Sequence, residues 1–213
     1  MRIVLLLALC LTAACGSRLQ KPDGERWSAV AIKRSDAGTP ERMEGRIYTV
    51  RRAERVADEL SALVKKEKAI FKLLKPAKEL SVTRDETDEL GFRHLTMQRI
   101  HGGVPLWGET LHFHINKEGD LYLFHGAYSP SLSKFKVKNS LTGAQAEERA
   151  KAALGKTVAL PAETKMWILM TQSGPKTVWR TVVGSALLSA DQLECLIDAN
   201  SGEVLYQASL LRP

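Results

Sequence analysis

The chain has 213 residues, 44% of them hydrophobic and 26% charged, and no low-complexity tract. That makeup excludes a disordered or collagen-like chain and leaves room for one or two domains, each with a core of its own. The net charge of +7 is not a nucleic-acid signature: the lysines gather at Lys65, Lys66, Lys68, Lys72 and Lys75 and at Lys134-Phe135-Lys136-Val137-Lys138, without an arginine–aromatic motif. A solvated helix face is the plainer reading of those lysines, and contact with an anionic membrane or an acidic partner is the other.

In chain order, Arg2 precedes an apolar run from Ile3 to Ala14. The run falls short of the roughly 20 residues that span a bilayer and suits a signal-peptide hydrophobic region. It closes Leu11-Thr12-Ala13-Ala14-Cys15, which resembles a bacterial lipobox. Residues 1–14 are therefore expected to be a lipoprotein signal peptide and Cys15 the lipid anchor, with membrane attachment through its acyl chains (palmitate among them). Gly16 follows the cysteine where an aspartate would favour inner-membrane retention. The expected location is the cell envelope, in a Gram-negative organism the outer membrane facing the periplasm or the cell surface. Cys10 and Cys15 fall in this leader, so Cys195 is left alone among aliphatics, as a buried small hydrophobe with no disulfide or cysteine–metal role.

Residues 15–50, rich in turn formers and charge, read as a flexible tether, with at most a short strand at 46–50. From Arg52 to Lys75, apolar residues at three- and four-residue spacing predict one long helix ended by Pro76. Alternation then predicts strands over Leu80–Arg84, Phe92–Ile100, Glu109–Asn116 and Asp120–His125, the last two joined by a turn around Gly119. Thr142-Gly143-Ala144-Gln145 reads as a capping box opening a helix that runs to Leu154. Strands follow at Thr164–Thr171, Thr177–Val183, Leu193–Asp198 and Val204–Ser209, with Gly202 in the last turn. The predicted fold is α+β: two tandem modules, 51–130 and 131–213, each a long helix packed on an antiparallel sheet.

His112 and His114 share one strand face at about 7 Å spacing, but a zinc site needs a third ligand and outer support. They read as polar residues on an outer sheet face, so no metal and no cofactor is expected. Gly155-Lys156-Thr157 follows a helix where a phosphate loop would open one, and Ala150 stands where the loop needs glycine. Asp85, Glu86, Asp88 and Glu89 read as solvated carboxylates in a turn-rich loop. Neither His-Glu-x-x-His nor Gly-x-Ser-x-Gly occurs, so no enzyme activity is expected. Of the tryptophans, Trp179 is assigned to the core and Trp107, placed in a Pro105–Gly108 turn, is the candidate contact residue.

The stretch Asp88-Glu89-Leu90-Gly91-Phe92-Arg93-His94-Leu95-Thr96-Met97-Gln98-Arg99, followed by Gly103-Val104-Pro105-Leu106-Trp107-Gly108, resembles the fungalysin/thermolysin propeptide motif. Thr96 and Arg99 depart from it, where Arg and Gln are usual. The second half, with Val178-Trp179-Arg180-Thr181-Val182-Val183 and Leu196-Ile197-Asp198-Ala199-Asn200-Ser201-Gly202-Glu203, is similar to a PepSY domain. In that family both modules precede a zinc metallopeptidase, assist its folding and inhibit it. The resemblance implies a non-catalytic envelope lipoprotein that binds a protein in trans, a secreted thermolysin-like zinc metallopeptidase, as inhibitor or folding chaperone. Gln207, Ala208, Ser209, Leu210 and Leu211 of the C-terminal tail are then expected, with Trp107, to meet the partner. Two alternatives stand beside it: an envelope structural or adaptor module without a peptidase partner, and a metal- or small-ligand-binding lipoprotein using the histidine-bearing face.

Overall fold

The computed structural model describes residues 30–155, 163–184 and 192–210. The signal-peptide and Cys15 assignments lie outside the described residues.

Ten strands dominate. β1 (Ala31–Arg34) and β2 (Pro40–Thr49) pair antiparallel and join β6 (Asp120–Ala127), which pairs β5 (Val104–Ile115). On its own N-terminal side β5 pairs β4 (Arg93–His101), and β4 pairs β3 (Leu80–Thr87). The path continues through one parallel bridge, Leu106 opposite Ile168, into β7 (Glu163–Thr171). An antiparallel meander of β8 (Gly174–Gly184), β9 (Gln192–Asp198) and β10 (Val204–Ser209) completes it.

The alternation predicted for β5 sets this sheet's two faces. Leu111, Phe113 and Ile115 are buried while His112 and His114 turn outward. β4 and β5 meet through Gly102-Gly103, both at positive φ (58° and 81°), the conformation a two-residue hairpin requires. The inner face packs on helical segments to form a cluster in which Leu60, Val64, Phe71, Leu95, Leu111 and Phe124 lie. A second, smaller cluster sits between α4 (Gly143–Leu154) and β8–β9, from Ala146, Ala150, Val183, Cys195 and Ile197. The capping box forms as read: Thr142 accepts from the Gln145 N–H, and the Gln145 side chain accepts from the Thr142 N–H. Gly202 takes φ 76° in the β9–β10 turn, and Cys195 is fully buried.

The fold class needs correction. In place of two modules with long helices on separate sheets, the described protein is mostly β-sheet, its helices are short, and its strands join in one ten-stranded sheet, eight along a path and β3–β4 branching from β5. The predicted helix at 52–75 is a 3-10 turn (Ala53–Arg55), α1 (Val56–Lys66), α2 (Lys68–Phe71) and, past a break, α3 (Pro76–Glu79). Lys72, at φ 58° in the left-handed region, ends α2 before any proline does. Pro76 opens α3 at its first turn, where a missing N–H costs nothing. Residues 31–49, read as tether, form β1 and β2 and place Ile32, Met43 and Ile47 in the larger cluster.

Candidate partner-contact surface

Trp107 lies within β5, not in a turn, and is half-buried beside the parallel bridge. Its ring meets Trp167 of β7 edge-on, with centroids 5.3 Å apart, and the Arg180 guanidinium lies 5.4 Å from its ring centroid. Arg180 is held in place by Glu194 of β9, Nε to Oε1 at 2.7 Å. A cation over an indole face, with its own carboxylate partner, makes a surface that is apolar and charged at one spot. Trp179, assigned to the core, is half-buried against the smaller cluster and donates its indole N–H to the Leu141 carbonyl.

The tail residues separate by strand alternation. Ala208 pairs Glu194 and so shares the face of Arg180 and Trp107, whereas Gln207, opposite Cys195, and Ser209 point to the α4 side. β5 and β10 are four strand steps apart, about 19 Å at the usual spacing. The structure therefore brings Trp107 and Ala208 to one face but not to one spot. Leu210 continues past β10, its N–H bonded to the Gln192 carbonyl, and is exposed. Leu211 lies outside the described residues. Among the described residues β10 pairs with no strand but β9, so it stands at the edge of the described sheet. Trp167 and Arg180 were missed because the bridge that delivers them to Trp107 links positions some 60 residues apart.

The histidine face is richer than two residues. His94 and His114 share a 2.8 Å Nδ1–Nδ1 contact, and the His125 ring stacks on both His112 and His114. Both nitrogens of His112 are taken by Thr96 and Thr110, and His94 also meets Asp88. Burial first, and the neighbouring His125 second, lower the His114 pKa from 6.5 to about 4, so it is neutral near pH 7. Among the described residues no group of three His, Cys, Asp or Glu side chains is arranged to hold a metal ion.

The motif residues themselves serve the fold. The Asp88 carboxylate accepts the Leu90 and Phe92 N–H groups, which shapes the β3–β4 turn. Gln98 donates to the Arg99, Leu106 and Glu109 carbonyls where the β4–β5 register shifts. Asp85 pairs with Arg93, Glu86 with Arg84 and Asp88 with His94, so three of the carboxylates read as free in solvent are paired.

Comparisons with known proteins agree with this part of the chain. Residues 78–128 match the family described as Fungalysin/Thermolysin Propeptide Motif, which covers β3 through β6. The chain is similar to bacillolysin of Bacillus cereus, 37% identical over 51% of this chain and 20% of that protein. It is similar to the thermostable neutral protease NprT of Geobacillus stearothermophilus, 30% identical over 54% of this chain and 20% of the relative. A bacillolysin of Bacillus amyloliquefaciens is 25% identical over 61% of this chain and 27% of its own length. The chain thus spans about a fifth to a quarter of these proteases and carries the propeptide motif of the thermolysin type.

Proposed function

We propose that this chain is a non-catalytic, membrane-anchored binding protein. Its partner is a thermolysin-like zinc metallopeptidase, engaged in trans as inhibitor or folding chaperone. One observation carries the reading: residues 78–128 match the fungalysin/thermolysin propeptide motif, folded here as β3–β6. No His-Glu-x-x-His occurs in the 213 residues, and the reading places the zinc chemistry in the partner. Residues 131–213 serve as the PepSY-like half, and the face of Trp107, Arg180 and Ala208 is where the enzyme docks. Cys15 holds the protein at the envelope, the outer membrane in a Gram-negative cell.

The test mixes the purified chain with a bacillolysin. Slowed peptide hydrolysis or a raised refolding yield of the denatured enzyme is expected, and Trp107→Ala should weaken either effect at least tenfold. No change in both assays would sink the partner assignment. The anchor is tested separately: Cys15→Ser should move the protein from the membrane fraction to the soluble fraction without lowering its thermal midpoint.

A further inference from the structure

Six lysines fall between residues 65 and 78, and Glu67 is the only acidic residue in that span. Lys65, Lys66, Lys68, Lys72, Lys75 and Lys78 are all exposed, and none forms an ion pair with a described residue. The stretch is divided among α1, α2 and α3 and does not run along a single helix. Leu74 stands exposed among them, 53% accessible, and Lys65, Lys75 and Lys78 line a shallow dent with it.

A second segment joins the same side. The Ser131 N–H donates to the Lys72 carbonyl at 3.0 Å, and the Ser131 hydroxyl accepts the Leu74 N–H at 2.8 Å. That staple sets Leu132 and Ser133 against Leu74, Lys75 and Lys78, so exposed Lys134 follows directly from the patch. Sequence separation hides this joining, and the structure makes one basic surface of two lysine runs.

We propose that this surface docks on an anionic membrane, its lysines meeting phospholipid headgroup phosphates and Leu74 entering the interface. Lysine ammoniums on flexible stems suit a laterally mobile array of phosphates, which needs charge without fixed fork geometry. The dent is shallow and has an apolar centre. The place where the chain leaves the described structure points the same way. Arg34, at the end of β1, donates to the Ile70 carbonyl beside the lysines. The 29 residues before Val30, which include the apolar run Ile3–Ala14, leave about 13 Å from that contact. The inference does not depend on Cys15 being acylated, because the lysines alone supply the attraction. No helix among the described residues is long and apolar enough to cross a membrane, so this face rests on the surface.

The experiment uses the full chain and sedimentation with two kinds of vesicle: pure phosphatidylcholine, and the same lipid with about 30% phosphatidylglycerol. The apolar leader contributes to both, so the readout is the ratio of the two partition coefficients. The ratio should exceed tenfold at low salt and collapse near 1 M salt, where the Debye length is about 3 Å. Replacing Lys65, Lys68, Lys75 and Lys78 by Gln should lower it at least fivefold, while the same substitutions at Lys33, Arg42, Lys117 and Lys165 leave it unchanged. Leu74→Ser should weaken anionic-vesicle binding without altering its salt dependence. A wild-type ratio near one, or equal losses in the two four-site variants, overturns the proposal. Capture of soluble polyglutamate with a vesicle ratio near one also overturns it, in favour of an acidic protein. Loss of peptidase inhibition leaves this ratio untouched, so the two readings fail separately.

Discussion

Arg99 shows how a departure from a motif can be taken up by the fold. Its guanidinium is fully buried, donates to the carbonyls of Glu79, Ile100, Ser129 and Pro130, and lies 3.9 Å from Glu79 and 3.8 Å from Glu109. It ties α3, β4, β5 and the segment after β6 together, so it is a structural residue and not a partner contact. Removing one member of a buried charge group leaves the others uncompensated, so Arg99→Met should destabilise the protein by about 3–5 kcal/mol. Urea unfolding measures this, and a loss under about 1 kcal/mol would mean that the carboxylates are solvated after all. His114 supports a second prediction at the same scale. Its folded pKa of about 4 lies below the ordinary 6.5, and His112 and His125 are lowered too, each mainly by burial. Between those two pH values the unfolded chain binds more protons than the folded one, so stability is full above pH 6.5 and falls toward pH 4. The urea midpoint should drop across that window, and less steeply in His114→Gln. A flat profile in the wild type would show that the cluster does not titrate with folding.

At the scale of elements, legibility followed the regularity of the backbone. β5 could be read because an unbroken period of two over Glu109–Ile115 puts one set of side chains inward. β2 was legible only at its C-terminal end: its register shifts between Glu44 and Tyr48, so buried Met43 and Ile47 stand four apart among charges. The stretch 52–75 failed in the opposite way. Its apolar stripe is real as far as Phe71, and Val56, Leu60, Leu63, Val64 and Phe71 are all buried. Past a left-handed Lys72 that no glycine or proline announces, the spacing slips, so that Leu73 is buried and Leu74, read into the stripe, is exposed. Only α4 carried its own boundary, because the Thr142 and Gln145 side chains satisfy backbone donors at its start. Thr142→Ala should therefore cost about 1 kcal/mol, read as a lowered urea midpoint. An unchanged midpoint would place the stability of α4 wholly in its packing on β8 and β9. The candidate surface was legible only in its half-buried aromatic. Trp107 could be singled out from sequence, while Arg180 reaches it through a strand order that no local pattern encodes.

For the whole molecule, the matched stretch is less than a folding unit. Residues 78–128 supply β3–β6, yet the larger buried cluster draws on both sides of that boundary. Of its twenty members, eleven, from Val30 to Leu73, precede residue 78, and nine, from Leu80 to Tyr128, lie within the match. Cut out alone, the four strands would expose Leu95, Met97, Leu111, Phe113 and Phe124 on one face, each worth about 1.5–3 kcal/mol when buried. A sheet of that size has no second layer to cover them. The fragment 78–128 should consequently show no cooperative urea transition and should bind a hydrophobic dye, while the full chain unfolds cooperatively. A fragment that melted cooperatively as a monomer would mean that β1, β2 and the short helices are additions to a self-sufficient motif. The packing argues the reverse. Phe71 of α2 meets Phe124 of β6 edge-on at 5.3 Å, and the Tyr128 hydroxyl donates to the Phe71 carbonyl. The motif strands are thus closed by the segment that also carries the lysines.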